Sequence, residues 1–345
     1  MEKMKVAVMT DVMKLQFVER EIPYPSGDDV LVKMEYVGVC GSDLHFFEHC
    51  RIGDCVVTPP FVLGHEAGGT VVSVGRNVKQ LKPGDKVALE PGKTCGECEF
   101  CLTGRYNLCP DVAFFATPPV DGIFQEYAVH PAKLCFKIPP TMDTMQAALI
   151  EPLAVGFNAA QTGGAALGKT AIITGAGCIG LVSLLAAKAL GTSQILVSDI
   201  IEKRLQMAEK LGSDITINSA CSDLSEAVCA FTDRHGVDFA IETSGNESAA
   251  NQAIASLKRG GTLVLVGYSS SGKMTLDISR ALDKQLNIKT IFRYCNHYPL
   301  AIKAVKQGLD IKSIVSDVFE FDDIQAALKR SILHKSETVK TVIKF

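Results

Sequence analysis

The sequence predicts an α/β protein in two parts: a mostly β first half, then a doubly wound parallel sheet. Three observations carry that prediction. From residue 5 to about residue 138, short runs rich in β-branched and other apolar residues alternate with turn residues. From Lys169 onward, strand-like and helix-like segments follow one another in the βαβ rhythm of a parallel sheet. At the start of that rhythm stands Gly175-Ala176-Gly177-Cys178-Ile179-Gly180, with the G-x-G-x-x-G spacing of a phosphate-cradling turn.

Length and composition fit two domains. A chain of 345 residues exceeds what one ordinary core serves. With 47% hydrophobic and 21% charged residues there is ample material for buried cores and no signature of disorder. The formal net charge of −3, without a sustained basic run, gives no footprint for nucleic acid or an anionic membrane surface. Residues 1–10 lack the pattern of a secretory signal, so the expected compartment is the cytoplasm. The uncharged run 170–187 is divided by three glycines and reads as strand, turn and helix rather than a membrane span.

In the first half the expected strands lie at 5–9, 30–37, 69–74, 86–89 and 125–129, with a turn at Pro83-Gly84-Asp85. The character changes near Glu151. In the second half strands are expected at 170–174, 194–198, 215–217, 238–242, 262–266 and 288–292. Helices are expected at 179–190, 202–211, 224–232 and 248–256. After Arg293 come a helix at 299–307, a strand at 315–319, a helix at 322–331 and a strand at 338–344. These are expected to return to the first domain, giving domains 1–151 and 152–293 with a C-terminal segment 294–345. Residues 269–272, Ser-Ser-Ser-Gly, read as a surface turn.

The glycine motif follows an apolar strand, opens an apolar helix and has Asp199 at the end of the next strand. Gly175 makes the turn, Gly177 admits a pyrophosphate to the backbone, and Gly180 allows the helix to approach the strand. Asp199 suits a ribose hydroxyl and repels a 2′-phosphate, which favours NAD, although Arg204 stands five residues on and an arginine there can meet a 2′-phosphate.

Twelve cysteines in a chain expected in a reducing compartment point to metal binding rather than disulfides. Cys95, Cys98, Cys101 and Cys109 form two C-x-x-C steps sharing a cysteine, with a fourth thiol eight residues on, inside a lobe at 92–110. Four thiolates in so short a span suggest a closed, tetrahedral structural zinc.

A second group is split along the chain. Cys40 lies in Gly38-Val-Cys-Gly-Ser-Asp-Leu-His45, answered by Gly64-His65-Glu66. Thiolate, imidazole and carboxylate are zinc ligand types, and three of them leave a fourth position for substrate or water. Glu151 is either a further ligand or hydrogen-bonding base, or a helix-start acid favoured by the helix dipole. Ser42 and His45 are either proton relays or loop hydrogen-bonding residues.

A Cys40…His65-Glu66 site, a four-cysteine lobe and a later dinucleotide fold, in that order, resemble the zinc-dependent medium-chain alcohol and polyol dehydrogenases over essentially the whole chain. The resemblance is closer still to the sorbitol dehydrogenases, through residues 39–45, 64–66, Ala116-Thr-Pro-Pro-Val-Asp-Gly122, Glu151-Pro-Leu153 and Phe292-Arg-Tyr-Cys-Asn296. It implies a GroES-like catalytic domain, a Rossmann domain, a cleft between them and a homotetramer. It also implies catalytic zinc on Cys40, His65 and Glu66, with Glu151 near the metal or on it. Arg293 and Tyr294 fall where the family lines its polyol site. Ile179, Asp199, Arg204, Val266, Gly267 and Phe292 fall at its cofactor positions. Phe46 stands where sorbitol dehydrogenases commonly have tyrosine, so a phenolic contact to substrate is missing there.

The expected activity is zinc- and NAD-dependent oxidation of a secondary alcohol of a small polyol to a ketose, and the reverse. The alternatives are a related zinc dehydrogenase for L-threonine, another alcohol or a sugar-alcohol phosphate, or a noncatalytic protein that keeps the NAD and zinc sites.

Overall fold

The computed structural model describes residues 2–269 and 271–345, so Ser270 of the expected 269–272 turn lies outside the described residues. The chain divides into two compact units, one made of residues 1–151, 298–308 and 315–345, the other of 152–297 and 309–314.

The first unit is built on the strand Asp29–Gly38. It pairs antiparallel with Glu66–Val74, Tyr127–Pro131 and Lys340–Lys344. The sheet extends through Lys86–Leu89 and Cys135–Lys137 on one side and Val315–Glu320 on the other. Val30, Val32, Met34 and Val37 are fully buried on this strand and feed one apolar core, closed by Leu328 and Ile343 from the C-terminal segment. The strand Lys14–Glu21, unassigned from the sequence, pairs with Lys3–Asp11 as an outlying hairpin. Its residues are mostly exposed, so no buried face marks it in the sequence.

The second unit holds a six-stranded sheet, parallel throughout, in the order Ile215–Asn218, Gln194–Asp199, Thr170–Thr174, Val237–Glu242, Leu257–Leu265, Asn287–Thr290. Numbered along the chain this is 3-2-1-4-5-6, the doubly wound order with its reversal beside Thr170–Thr174. Glycines make the adjoining turn. Gly175 has φ of +96°, and a Cβ on Gly180 would lie 1.8 Å from the Gly175 carbonyl oxygen. The helix Cys178–Ala189 starts directly after this turn.

Several helices have no counterpart in the sequence reading, among them two that bear expected site residues. Gly41–His49 begins within the segment read as a metal-binding loop, because Cys40 and Asp43 form a capping box at its start. Ile150–Gly163 crosses the change of unit, with Glu151 in its first turn.

The C-terminal segment is shared differently from the expected division at 293. Residues 294–297 stay with the second unit, where Asn158 donates to the Arg293 carbonyl at 2.8 Å and His297 meets the Gln161 amide oxygen at 2.9 Å. At Tyr298 the chain rejoins the first unit, its hydroxyl donating to the Leu89 carbonyl at 2.7 Å. No helix among the described residues is long and apolar enough to cross a membrane.

Gly180→Ala should destabilise the second unit by about 1–3 kcal/mol, because the clash is with backbone that cannot rotate away. A shift of the urea midpoint to lower concentration is expected; an unchanged midpoint would contradict this account of the turn.

Candidate functional site

Cys40, His65 and Glu66 come together with one donor atom each, all within 4.8 Å of one another. The sheet explains how. Cys40 follows the end of the central strand, Glu66 opens its neighbour, and Gly38 sits opposite Glu66 in register. A Cβ on Gly38 would lie 2.0 Å from Glu66 Oε2, so this closeness requires glycine.

Asp43 locks the two halves together. Its Oδ2 accepts the Cys40 N–H at 3.0 Å, its Oδ1 accepts the Gly64 N–H at 2.8 Å, and Oδ1 stands 3.7 Å from His65 Nδ1. Burial opposes charge on this carboxyl, but His65 and the two N–H groups outweigh it and hold Asp43 below its ordinary range. Burial likewise opposes a cationic His65, while Asp43 and Cys40 outweigh it and raise His65 well above its ordinary value. A carboxylate on one ring nitrogen fixes the imidazole for a metal on the other.

On the far side Glu66 forms a buried ion pair with Lys340, whose Nζ also donates to the Val39 carbonyl at 3.0 Å. Neither Asp43 nor Lys340 was singled out from the sequence. For Asp43 the capping-box spacing after Cys40 was an available signal; for Lys340 there was none.

The other expected residues of this unit are placed on two helices, Gly41–His49 and Ile150–Gly163. Ser42 is half-buried and His45 exposed on the helix Gly41–His49, the His45 ring 6.2 Å from that of His49. Phe46 is buried with Phe47 in the apolar core. Glu151 is buried but contributes no atom to the three-donor group. It acts electrostatically on Glu90, a buried carboxyl that accepts the Tyr106 hydroxyl at 2.7 Å.

Cys95, Cys98, Cys101 and Cys109 form the second donor group, also within 4.8 Å, and all are free thiols. Cys95 Sγ lies 3.5 Å from Cys109 Sγ and 3.9 Å from Cys101 Sγ. Zinc–sulfur bonds of about 2.3 Å give a tetrahedron with edges of about 3.8 Å, so these separations fit zinc and are far too long for disulfides. The Cys98 N–H points at Cys95 Sγ at 3.4 Å. Backbone N–H groups of this kind bring the Cys95 thiol down to about 7.

In the second unit the glycine turn is tied to Asp199. Its Oδ2 accepts the Ala176 N–H at 2.6 Å and its Oδ1 the Ile201 N–H at 2.9 Å. Arg204 Nη1 is 3.9 Å from Asp199 Oδ2, and a Cβ on Gly177 would be 3.8 Å from the same nitrogen. Ile179 is half-buried in the helix that follows. Val266 and Gly267 both donate to the Glu242 carbonyl, at 2.9 and 3.1 Å, just past the strand end. Phe292 is exposed with the Arg293 guanidinium 4.8 Å over its ring, Arg293 has φ of +54°, and Tyr294 is buried.

Comparison with known proteins gives a consistent picture. Residues 26–140 match the family described as alcohol dehydrogenase GroES-like domain, and residues 178–307 the family described as zinc-binding dehydrogenase. The chain is 43% identical over 343 residues to the sorbitol dehydrogenase of Bacillus subtilis, covering 99% of this chain and 97% of that protein. An Escherichia coli oxidoreductase of unknown specificity superposes with a TM-score of 0.95 at 42% identity over 99% of each chain. The L-idonate 5-dehydrogenase of Escherichia coli superposes with a TM-score of 0.93 at 28% identity, over 100% of this chain and 99% of that one.

Glu90 generates a prediction. It is 3% exposed, and burial lifts it from 4.5 to about 7, with Tyr106 opposing and Glu151 adding to the rise. The folded state therefore holds a proton that the unfolded chain releases earlier, so this contribution to stability is present below pH 4.5 and lost as pH rises towards about 7. Glu90→Gln, which cannot ionise, should gain in Tm relative to the parent as pH is raised from about 5 to about 8. A difference in Tm that is constant across that range would refute the assignment.

Proposed function

The chain belongs to the zinc-binding alcohol dehydrogenase family and is an oxidoreductase; from that premise we propose that it is a zinc- and NAD-dependent polyol dehydrogenase. It interconverts a secondary alcohol of a sugar alcohol and a ketose, in the manner of sorbitol and fructose. The observation that carries this reading is the Cys40, His65 and Glu66 donor group in a chain 43% identical to a sorbitol dehydrogenase.

Zinc at that group would favour ionisation of the substrate hydroxyl, and NAD would accept the hydride. Cys40, His65 and Glu66 hold the metal, and Asp43 fixes the ring of His65. Glu151, Ser42 and His45 carry the hydroxyl proton away. Arg293 and Tyr294 orient the polyol, and Phe46 keeps the position beside His45 apolar. Backbone N–H groups at the turn bearing Gly175, Gly177 and Gly180 receive the pyrophosphate. Asp199 and Arg204 face the adenosine ribose, and Ile179, Val266, Gly267 and Phe292 line the remainder of the dinucleotide site. Cys95, Cys98, Cys101 and Cys109 hold a second, structural zinc. The protein acts as a cytoplasmic homotetramer on a small neutral substrate, without nucleic acid or membrane, a reading supported by its near-neutral charge.

The test is NAD reduction over sorbitol, xylitol, L-iditol, ribitol, galactitol, L-idonate, L-threonine and simple alcohols, with NADP for comparison. Turnover of a polyol with NAD is expected. Preference for threonine, a phosphate ester or NADP would replace the substrate or cofactor reading, and NAD binding without any turnover would favour a noncatalytic protein. Metal analysis separates the sites: Cys40→Ser should lose one zinc and its activity, whereas Asp43→Asn should weaken zinc retention and turnover by about 10–100-fold. Full activity in Cys40→Ser would exclude the assignment.

A further inference from the structure

We propose that Lys340 is a positioning residue for Glu66. Its buried ammonium holds one carboxylate oxygen and halves the negative charge of the Cys40 and Glu66 pair, so that Glu66 serves a metal as a single-oxygen donor. This rests on the reading of Cys40, His65 and Glu66 as a metal site.

Three neighbouring strands build the arrangement. Gly38 lies opposite Glu66 on one side and Val342 on the other, which brings Lys340, at the start of the last strand, to the same end of the sheet. The missing side chain at Gly38 makes room for both partners: a Cβ there would lie 2.0 Å from Glu66 Oε2 and 3.1 Å from Lys340 Cε. Lys340 is 2% exposed and Glu66 1%. Nζ contacts Oε2 and donates to the Val39 carbonyl at 3.0 Å, one residue before Cys40. No hydrogen-bond donor besides Lys340 faces Oε2 among the described residues.

A buried ion pair is seldom worth more to stability than apolar residues of the same shape. Here the pair instead settles the charge of the donor set. Thiolate and carboxylate together would neutralise a divalent ion; the ammonium beside them offsets the further negative charge of the Asp43 carboxylate behind His65, so that the site would not carry a net negative charge against a substrate hydroxyl losing its proton in surroundings of low dielectric. The fixed Oε2 also restricts Glu66 to its other oxygen, as outer partners of metal ligands generally set ligand orientation.

The test uses the full-length protein loaded with cobalt(II), reading the visible bands that Cys40→Ser lacks, together with the rate of zinc loss to a chelator. Lys340→Met should shift those bands and speed zinc loss by about 10–100-fold, whereas Lys340→Arg should retain the parent spectrum. Unchanged bands and an unchanged rate in Lys340→Met would overturn the proposal. If Lys340→Met does not fold, Lys340→Gln is read by the same criteria, and failure of both to fold would assign the pair to stability alone and overturn it. A parent protein with no Cys40-dependent bands would mean that the metal reading itself has failed, an outcome distinct from unaltered bands in the variant.

Discussion

The absence of a side chain at Gly38 is the constraint on which the metal end of this protein depends. Three strands meet there, and any Cβ would occupy the space held by Glu66 and approached by Lys340. The surrounding hydrogen bonds follow from that close approach: Val39 gives its carbonyl to Lys340 and its N–H to Thr341. Cys40 then leaves the sheet to cap the next helix. Backbone geometry here sets chemistry, because a methyl group at Gly38 would push the Glu66 carboxylate out of the place it shares with Lys340.

Around this point the protein manages charge by pairing. Asp43, His65, Glu66 and Lys340 are all buried, and an isolated ion in that position would be several kcal/mol unfavourable. Asp43 accepts two backbone N–H groups as well as facing the His65 ring, so its negative charge is held by hydrogen bonds and by the imidazole beside it at once. Glu90 shows no ion pair among the described residues and responds in the other way, by keeping its proton to higher pH as burial and the nearby Glu151 dictate. His130, buried against the Glu90 carbonyl, is driven down to about 4 and stays neutral. Such contrasts between neighbouring ionisable groups are typical of functional regions.

The dinucleotide end shows the same economy of backbone. Asp199 supports the turn by accepting the Ala176 N–H, and Arg204 lies close to both Asp199 and Gly177. The acid that suits a ribose thus also fixes the loop above the helix start, which couples the shape of the turn to the charge at its edge.

Features set by spacing along the chain were legible without coordinates. The glycine turn with its strand, helix and acid, the four-cysteine lobe, the Cys40 and His65-Glu66 ligand types and the two fold classes all rest on local order, because turn sterics and ligand chemistry act over a few residues. The strand Lys14–Glu21 and the helix Gly41–His49 escaped, the first for want of a buried face, the second because Cys40 is a weak cap signal beside an evident ligand. Tertiary structure alone decided the rest: that Phe46 packs in the core, that Glu151 stays out of the three-donor group, that Glu90 holds a proton, and that Lys340 reaches Glu66. Each depends on solvent exclusion and on groups brought from distant segments, and the free energy of a charge is fixed by those surroundings rather than by its neighbours in sequence.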